Sequence, residues 1–318
     1  MNKVNTTIDG NTKRASMHSS LAINLAQNAG LTSESPHTLD PVTREERRRC
    51  FWSLLLLKRL HGAEIGILDV TGEDNLPWYP KSAETPTRID DDVTIELGDG
   101  GKNRQGILAI AIQLSEIWLK ITQYARRRGK PSSLPPWSPQ SEYATIMAQQ
   151  MESETRMPKI HRFKPAQFSK QSTKDLHTRR DYWGPWIFAQ FIYHTNICLL
   201  NHPLLLSLRL RNFQSQIPEI FLQSTSDLIS SHASWITHLI GMFEAKMYKV
   251  TDPFLGHCAA IVATIYLQES FVDDLAIREE KMGNFAQCLG FVRGFVEWPH
   301  IGRLVSDPGG ERRYSDYS

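Results

Sequence analysis

The sequence predicts an all-α fold, an irregular array of about eight to ten packed helices. Apolar residues recur at helical spacing through most of the chain, and no run of strict apolar-polar alternation between turn residues extends beyond a few positions. The 318 residues, 41% hydrophobic and 22% charged, suffice for a large core and lie outside the composition of disordered chains.

Residues 1 to 14 are polar and are expected to be disordered. From 15 to 29 a helix places Met17, Leu21 and Leu25 on one side with Ala22, Ala26 and Ala29 beside them, and Gly30 suits a left-handed cap. The small residues permit close helix packing. A second helix, 43 to 61, has a charged first half and an apolar second half, Cys50-Phe51-Trp52-Ser53-Leu54-Leu55-Leu56-Leu57. Thr43 is the expected N-cap with Glu46 completing a capping box, and Glu45 can pair with Arg48 or Arg49 one turn on.

Residues 62 to 104 are rich in Gly, Asp, Pro and Thr and read as a long loop. Ile107, Ile110, Ala111, Leu114, Ile117, Trp118, Ile121 and Tyr124 then form the cleanest amphipathic stripe, ending at Arg126-Arg127-Arg128-Gly129, where cations suit the helix C-terminus. A Pro/Ser-rich joint, 131 to 139, precedes a shorter helix at 141 to 153. The polar stretch 156 to 180 reads as a linker between two halves.

From 183 to 200 the chain is apolar on nearly every side, as a central buried helix is, and Pro203 should end or kink it. Further helices are expected at about 218 to 250, with Phe221, Leu228, Trp235, Leu239 and Phe243 inward, at 253 to 275, and at 278 to 298. Asp252-Pro253 is an N-cap followed by proline at the first helical position. Residues 306 to 318 form a polar, flexible tail, so the folded domain is expected to run from 15 to 305.

A net charge of +2 (36 basic against 34 acidic residues) gives no overall attraction to phosphate backbones or anionic lipid. Cys50, Cys198, Cys258 and Cys288 are far apart and include no C-x-x-C pair, so they spell neither a disulfide framework nor a zinc finger. No stretch reaches the ~18 uninterrupted apolar residues of a membrane span, and no membrane partner is expected. Nucleotide-binding, serine-hydrolase, zinc-protease and EF-hand motifs are all missing from the sequence, which favours a binding or regulatory role.

The order of features resembles the fungal-specific transcription factor domain, the middle homology region of fungal binuclear zinc-cluster regulators. The likeness rests on the small-residue helix Ala22-Ile23-Asn24-Leu25-Ala26-Gln27-Asn28-Ala29 with Gly30-Leu31, and on the run Arg44-Glu45-Glu46-Arg47-Arg48-Arg49-Cys50-Phe51-Trp52-Ser53-Leu54. Ile89-Asp90-Asp91-Asp92-Val93 resembles the family's acidic segment. Tyr193-His194-Thr195-Asn196 through His202-Pro203-Leu204, and the helix from Pro253, resemble later parts of it. The chain departs from the pattern at Lys58, where an acidic residue is usual before the arginine at 59.

The resemblance implies a structural signature of Arg44, Glu45, Arg48, Arg49, Phe51, Trp52 and Arg59. It implies nuclear location, control of transcription, and protein partners: the transcription machinery or a full-length regulator, with dimerisation open. It also implies that the chain starts inside the domain, with zinc and DNA contacts confined to a cysteine-cluster module outside this chain, so no cofactor and no enzyme activity are expected here. Two alternatives stand beside this reading. One is a stand-alone accessory protein that dimerises with full-length regulators; the other is a metal-dependent helical enzyme using Asp91, Asp92 and Glu96, carboxylates that suit a hard cation but lack a second metal motif.

Other candidates have bland readings that are favoured. The basic tracts at 47 to 49 and 126 to 130 read as solvated helix faces rather than import or phosphate sites, although the first can pair across helices. His194 and Cys198, four apart, are two zinc-ligand types but not a site, and a buried hydrogen-bonded histidine is favoured; His257-Cys258 is treated alike. Trp186, Tyr193 and His194 are candidates to line an effector pocket, against a default of core packing.

Overall fold

A computed structural model describes residues 12–61, 76–85, 106–127 and 134–296, and among these the chain is all-α, with no strand. The helices are α1 (Thr12–Asn28), α2 (Pro41–His61), α3 (Ile107–Arg126), α4 (Glu142–Arg156), the short α5 (Phe163–Ala166) and α6 (Thr173–Thr178), α7 (Arg180–Leu200), α8 (Pro203–Leu210), α9 (Glu219–Ala245), α10 (Pro253–Glu269) and α11 (Leu275–Val296). No helix among them is long and apolar enough to cross a membrane.

The core forms where α3 and α7 lie together, with α4, α9 and α10 packed around them. Every residue of the stripe expected on α3, from Ile107 to Tyr124, is buried. On α7 the apolar character extends around the whole helix, and Trp183, Trp186, Phe191 and Ile192 have no exposed surface. Side chains of this size each stabilise the fold by about 1.5–3 kcal/mol when fully buried, so this layer dominates stability. Pro203 ends one helix and starts the next: α7 stops at Leu200, and His202 accepts a hydrogen bond from the Leu204 amide while Pro203 takes the first position of α8.

Several expectations are corrected. Helix α1 starts at Thr12, inside the stretch expected to be disordered, and packs through Ser19, Ile23 and Ala26. Met17, Leu21 and Leu25 are 62%, 54% and 59% exposed. The face that buries is the one carrying Ser19, Ile23 and Ala26, and the larger side chains of the expected stripe stay in water. The cap at Gly30 is as expected: its φ is +62°, and the Leu31 and Gly30 amides donate to the carbonyls of Ala26 and Gln27.

Helix α2 starts two residues before the expected Thr43. Asp40 is its cap, its Oδ1 accepting from the Val42 and Thr43 amides at 3.0 Å, with Pro41 at the first position. This is the Asp-Pro start also found at α10, where Asp252 Oδ1 accepts from the Phe254 amide. An aspartate that already holds these amides leaves Thr43 no capping role.

The stretch read as a linker carries helical turns at Lys159–His161, α5, Phe168–Lys170 and α6. Met157, Ala166, Phe168 and Leu176 from it enter the same apolar cluster as Trp118 of α3 and Phe243 of α9. A few apolar residues, each on its own short turn, bury as effectively as a periodic stripe, which is why polarity alone reads the segment as linker. Within the expected long loop, residues 76–85 lie extended against α2 with Pro77 and Pro80 buried; the remainder, including Asp90, Asp91, Asp92 and Glu96, lies outside the described residues, as do the tail and residues 1–11. Helix α9 ends at Ala245, where Met247 at φ +49° and a Tyr248 amide bond to the Phe243 carbonyl close it, and α11 starts at Leu275 on an Asp274 cap.

Candidate functional site

Two groups of polar side chains take in the signature arginines and the pocket candidates. The first is the junction of α1, α2, segment 76–85 and α3. Arg47, Arg48 and Arg49 are consecutive on α2 and reach out to neighbouring segments of the chain. Arg47 donates from Nη2 to the carbonyls of Ala29 and Gly30 at 2.8 and 3.0 Å, closing the end of α1, and from Nε to Ser35 Oγ at 2.8 Å. Arg48 forks onto the Glu34 carboxylate, with Nε 3.1 Å from both oxygens, and its guanidinium lies 5.1 Å from the Trp78 ring centroid. Arg49 pairs with Glu45 at 2.8 Å and donates to the Lys81 carbonyl.

Carboxylates complete the lattice from the other side. Glu34 accepts from the Trp78 amide and Glu45 from the Lys81 amide, each at 2.9 Å. Burial pushes the Glu34 carboxyl up, but the bonds from Arg48 and the Trp78 amide outweigh it and hold the group below its usual value. Beneath this layer Phe51, Trp52, Leu55 and Ile112 form a small apolar cluster. Trp52 donates from Nε1 to the Trp78 carbonyl at 3.0 Å, and its ring lies 4.7 Å from Tyr79. Arg59 carries the attachment to α3, donating to the Ile112 carbonyl at 3.0 Å with Glu116 3.4 Å away. Burial depresses its guanidinium and Glu116 opposes that shift. Ser82 Oγ accepts from the Leu108 amide, and Ser82 sits so close to Gly106 that a Cβ there would meet Oγ at 2.1 Å.

The first basic tract is therefore only partly a solvated face: Arg49 stays exposed, but the guanidiniums of Arg47, Arg48 and Arg49 tie α2 to the end of α1, to the turn at residues 34 and 35, and to segment 76–85. Arg44, also in the signature, sits at the edge, with Nη1 3.4 Å from His37 Nδ1. The second tract fits the bland reading where it is described, since Arg126 is exposed and Arg127 forms an exposed pair with Glu142 at 3.0 Å.

The second place is where α7 meets α9. His194 Nδ1 and His232 Nδ1 are 2.8 Å apart, so one ring donates and the other accepts. Burial pulls both rings toward the neutral form. His194 lies well below its usual range, with His232 adding to the shift, and His232 falls to about 4, with Glu154 opposing. Trp235 stacks on His194 at 5.6 Å and 17°, and Tyr193 meets it edge-on at 5.1 Å. The Tyr193 hydroxyl donates to Glu154 at 2.7 Å, and burial followed by that bond raises its pKa.

Of the residues proposed to line a pocket, Tyr193 and His194 come together here, while Trp186 lies one layer deeper. Its Nε1 donates to the His161 carbonyl at 2.8 Å and its face stacks on Phe168. Phe163 bridges the layers, 5.9 Å from Trp186 and 4.9 Å from Trp235. Cys198 is buried, and burial pushes its thiol up, with Glu269, Cys258 and Cys288 adding to the shift. No group of three or more His, Cys, Asp or Glu placed to hold a metal occurs among the described residues.

Sequence reasoning missed Glu34, Trp78, Lys81 and Ser82 because extended segments have no periodicity to reveal a packed face. It missed His232, although His232 and Trp235 at i and i+3 share a face of α9.

A family model described as "Fungal specific transcription factor domain" matches residues 6–179, more than half of the 318 residues. The match takes in the whole arginine junction and stops just before α7. No curated protein and no solved structure matches the chain.

Proposed function

This chain belongs to the fungal-specific transcription factor domain family, and from that premise we propose that it regulates RNA polymerase II transcription in the nucleus through protein contacts and not through chemistry. The observation that carries the reading is the family match over the junction, whose signature residues Arg48, Arg49, Trp52 and Arg59 hold the α1–α2 region and segment 76–85 onto the α3 layer. A module of this kind works by presenting surfaces, and the junction fixes which surfaces of α1 and α2 are presented.

In this reading the partners are the transcription machinery or a full-length regulator. Zinc and DNA contacts belong to the cysteine-cluster module of the family, and this chain works without a cofactor of its own. The neutral His194–His232 pair, walled by Tyr193 and Trp235, is the proposed effector-responsive element, since a small organic ligand able to take over the hydrogen bond the two rings share would meet aromatic walls on either side.

Fusing the whole chain to an unrelated DNA-binding domain in a fungal reporter strain tests the proposal. Reporter output several-fold above or below that of the DNA-binding domain alone is expected, with Arg48→Ala reducing the difference. Output equal to the DNA-binding domain alone, from a fusion that is folded and nuclear, would contradict it.

A further inference from the structure

The hairpin of α10 and α11 turns at a tip that is exposed to solvent. All ten residues 271–280 are exposed. They include Phe271 at 79% and Leu275 at 71%, with Val272 and Ile277 beside them. A fully buried aromatic side chain covers roughly 150–250 Å², so Phe271 alone leaves most of such an area in water. Several large apolar side chains exposed within one short turn are unusual on a surface facing only water and suit an interaction site.

The tip is nonetheless held in one conformation from within. Lys281 pairs with Glu269 at 2.9 Å across the hairpin and lies 5.6 Å from the Tyr266 ring. Asp274 caps α11 through the Ala276 and Ile277 amides at 2.9 and 3.2 Å. The Phe271 amide donates to the Gln268 carbonyl, and Ser270 Oγ donates to the Leu267 carbonyl at 2.7 Å. A partner therefore meets a preorganised surface and need not order it on binding.

Charge selects the kind of partner. Residues 271–280 contain Asp273, Asp274, Glu279 and Glu280 against Arg278 alone, a formal 1 − 4 = −3 in a chain whose total is +2. Anionic lipid headgroups and nucleic-acid phosphates are repelled by such a rim. We propose that the α10–α11 tip is a docking point for an amphipathic helix of a partner protein, with Phe271 and Leu275 packing on the apolar face of that helix and lysines or arginines flanking that face opposite Asp273, Glu279 and Glu280. This surface is separate from the arginine junction and from the His194–His232 pair, and the proposal does not rest on the reading given for either.

The test uses the full chain and a fluorescent, amphipathic helical peptide of about five turns, with leucines along one face and lysines flanking them, followed by anisotropy. Binding that weakens with added salt is expected, with no binding to the same peptide flanked by glutamates. Phe271→Ser with Leu275→Ser, and separately Glu279→Gln with Glu280→Gln, should each weaken binding at least about tenfold. These side chains are exposed, so the thermal midpoint should not move, and Leu21→Ser with Leu25→Ser in α1 should leave binding unchanged. Equal binding of the two peptides, or binding that survives both tip variants, would overturn the proposal. So would Phe271-dependent binding to phosphatidylserine vesicles. A dimer of the chain that Phe271→Ser dissolves would put a second copy in place of the partner and equally overturn it.

Discussion

The arginine junction and the α3–α7 layer are held together by different physics. In the layer, Trp118, Trp183, Trp186 and Phe191 are fully buried and each touches several rings or helices, so cohesion is spread over many weak contacts. In the junction a few directional bonds reach far along the chain, as between Arg48 and Glu34, Trp52 and Trp78, or Arg59 and Ile112. A core of the first kind loses stability as a whole when it is cut. A lattice of the second kind releases particular segments, which suits surfaces that are presented to partners.

The largest expected effect lies in the layer. Trp183→Ala should cost about 3–5 kcal/mol of global stability, read as one cooperative fall in the urea midpoint by both circular dichroism and tryptophan fluorescence. If the two probes separate, the layer is not one cooperative unit.

Next comes the histidine pair at the edge of that layer. An unfolded histidine titrates near 6.5, whereas His232 in the fold titrates at about 4 and His194 lies well below 6.5. Between those values the unfolded chain binds protons that the folded chain refuses. Stability therefore rises with pH across this window and is lost as pH falls from 6.5 toward 4. Full loss at the His232 site alone is on the order of 3 kcal/mol. Thermal midpoints measured across this range should show the slope, and His194→Phe with His232→Phe should flatten it. A slope unchanged in the double variant would assign it to other groups.

The smallest effect belongs to the cap of α2. Asp40→Ala removes the acceptor for the Val42 and Thr43 amides and should lower the urea midpoint by a small, measurable amount. Thr43→Ala should cost less. A larger loss at Thr43 would restore the start read from the sequence.

Much of the α3–α7 layer is legible in the sequence, because helices buried on a wide face declare themselves by composition and period. The stripe of α3 and the all-round apolar character of α7 are read directly. The junction is legible only as a motif. The arginines and Trp52 stand out, but their partners Glu34, Trp78 and Lys81 lie in segments without a period, and nothing local tells a guanidinium to turn toward a carbonyl instead of water. Helix α1 misleads in the opposite sense. Its Met17, Leu21 and Leu25 form a good stripe, yet Ser19, Ile23 and Ala26, on a different face, are the residues that bury. Register between helices depends on shape, which the pattern of one helix does not contain.

Amide hydrogen exchange on Arg48→Ala tests the separate standing of the junction most directly. Protection should fall within residues 31–39 and 76–85 while 107–126 and 180–200 exchange as in the parent protein, because Arg48 bonds to Glu34 and lies over Trp78 and reaches neither α3 nor α7. Uniform loss of protection across the chain would contradict the account, since the junction would then be one more piece of a single core.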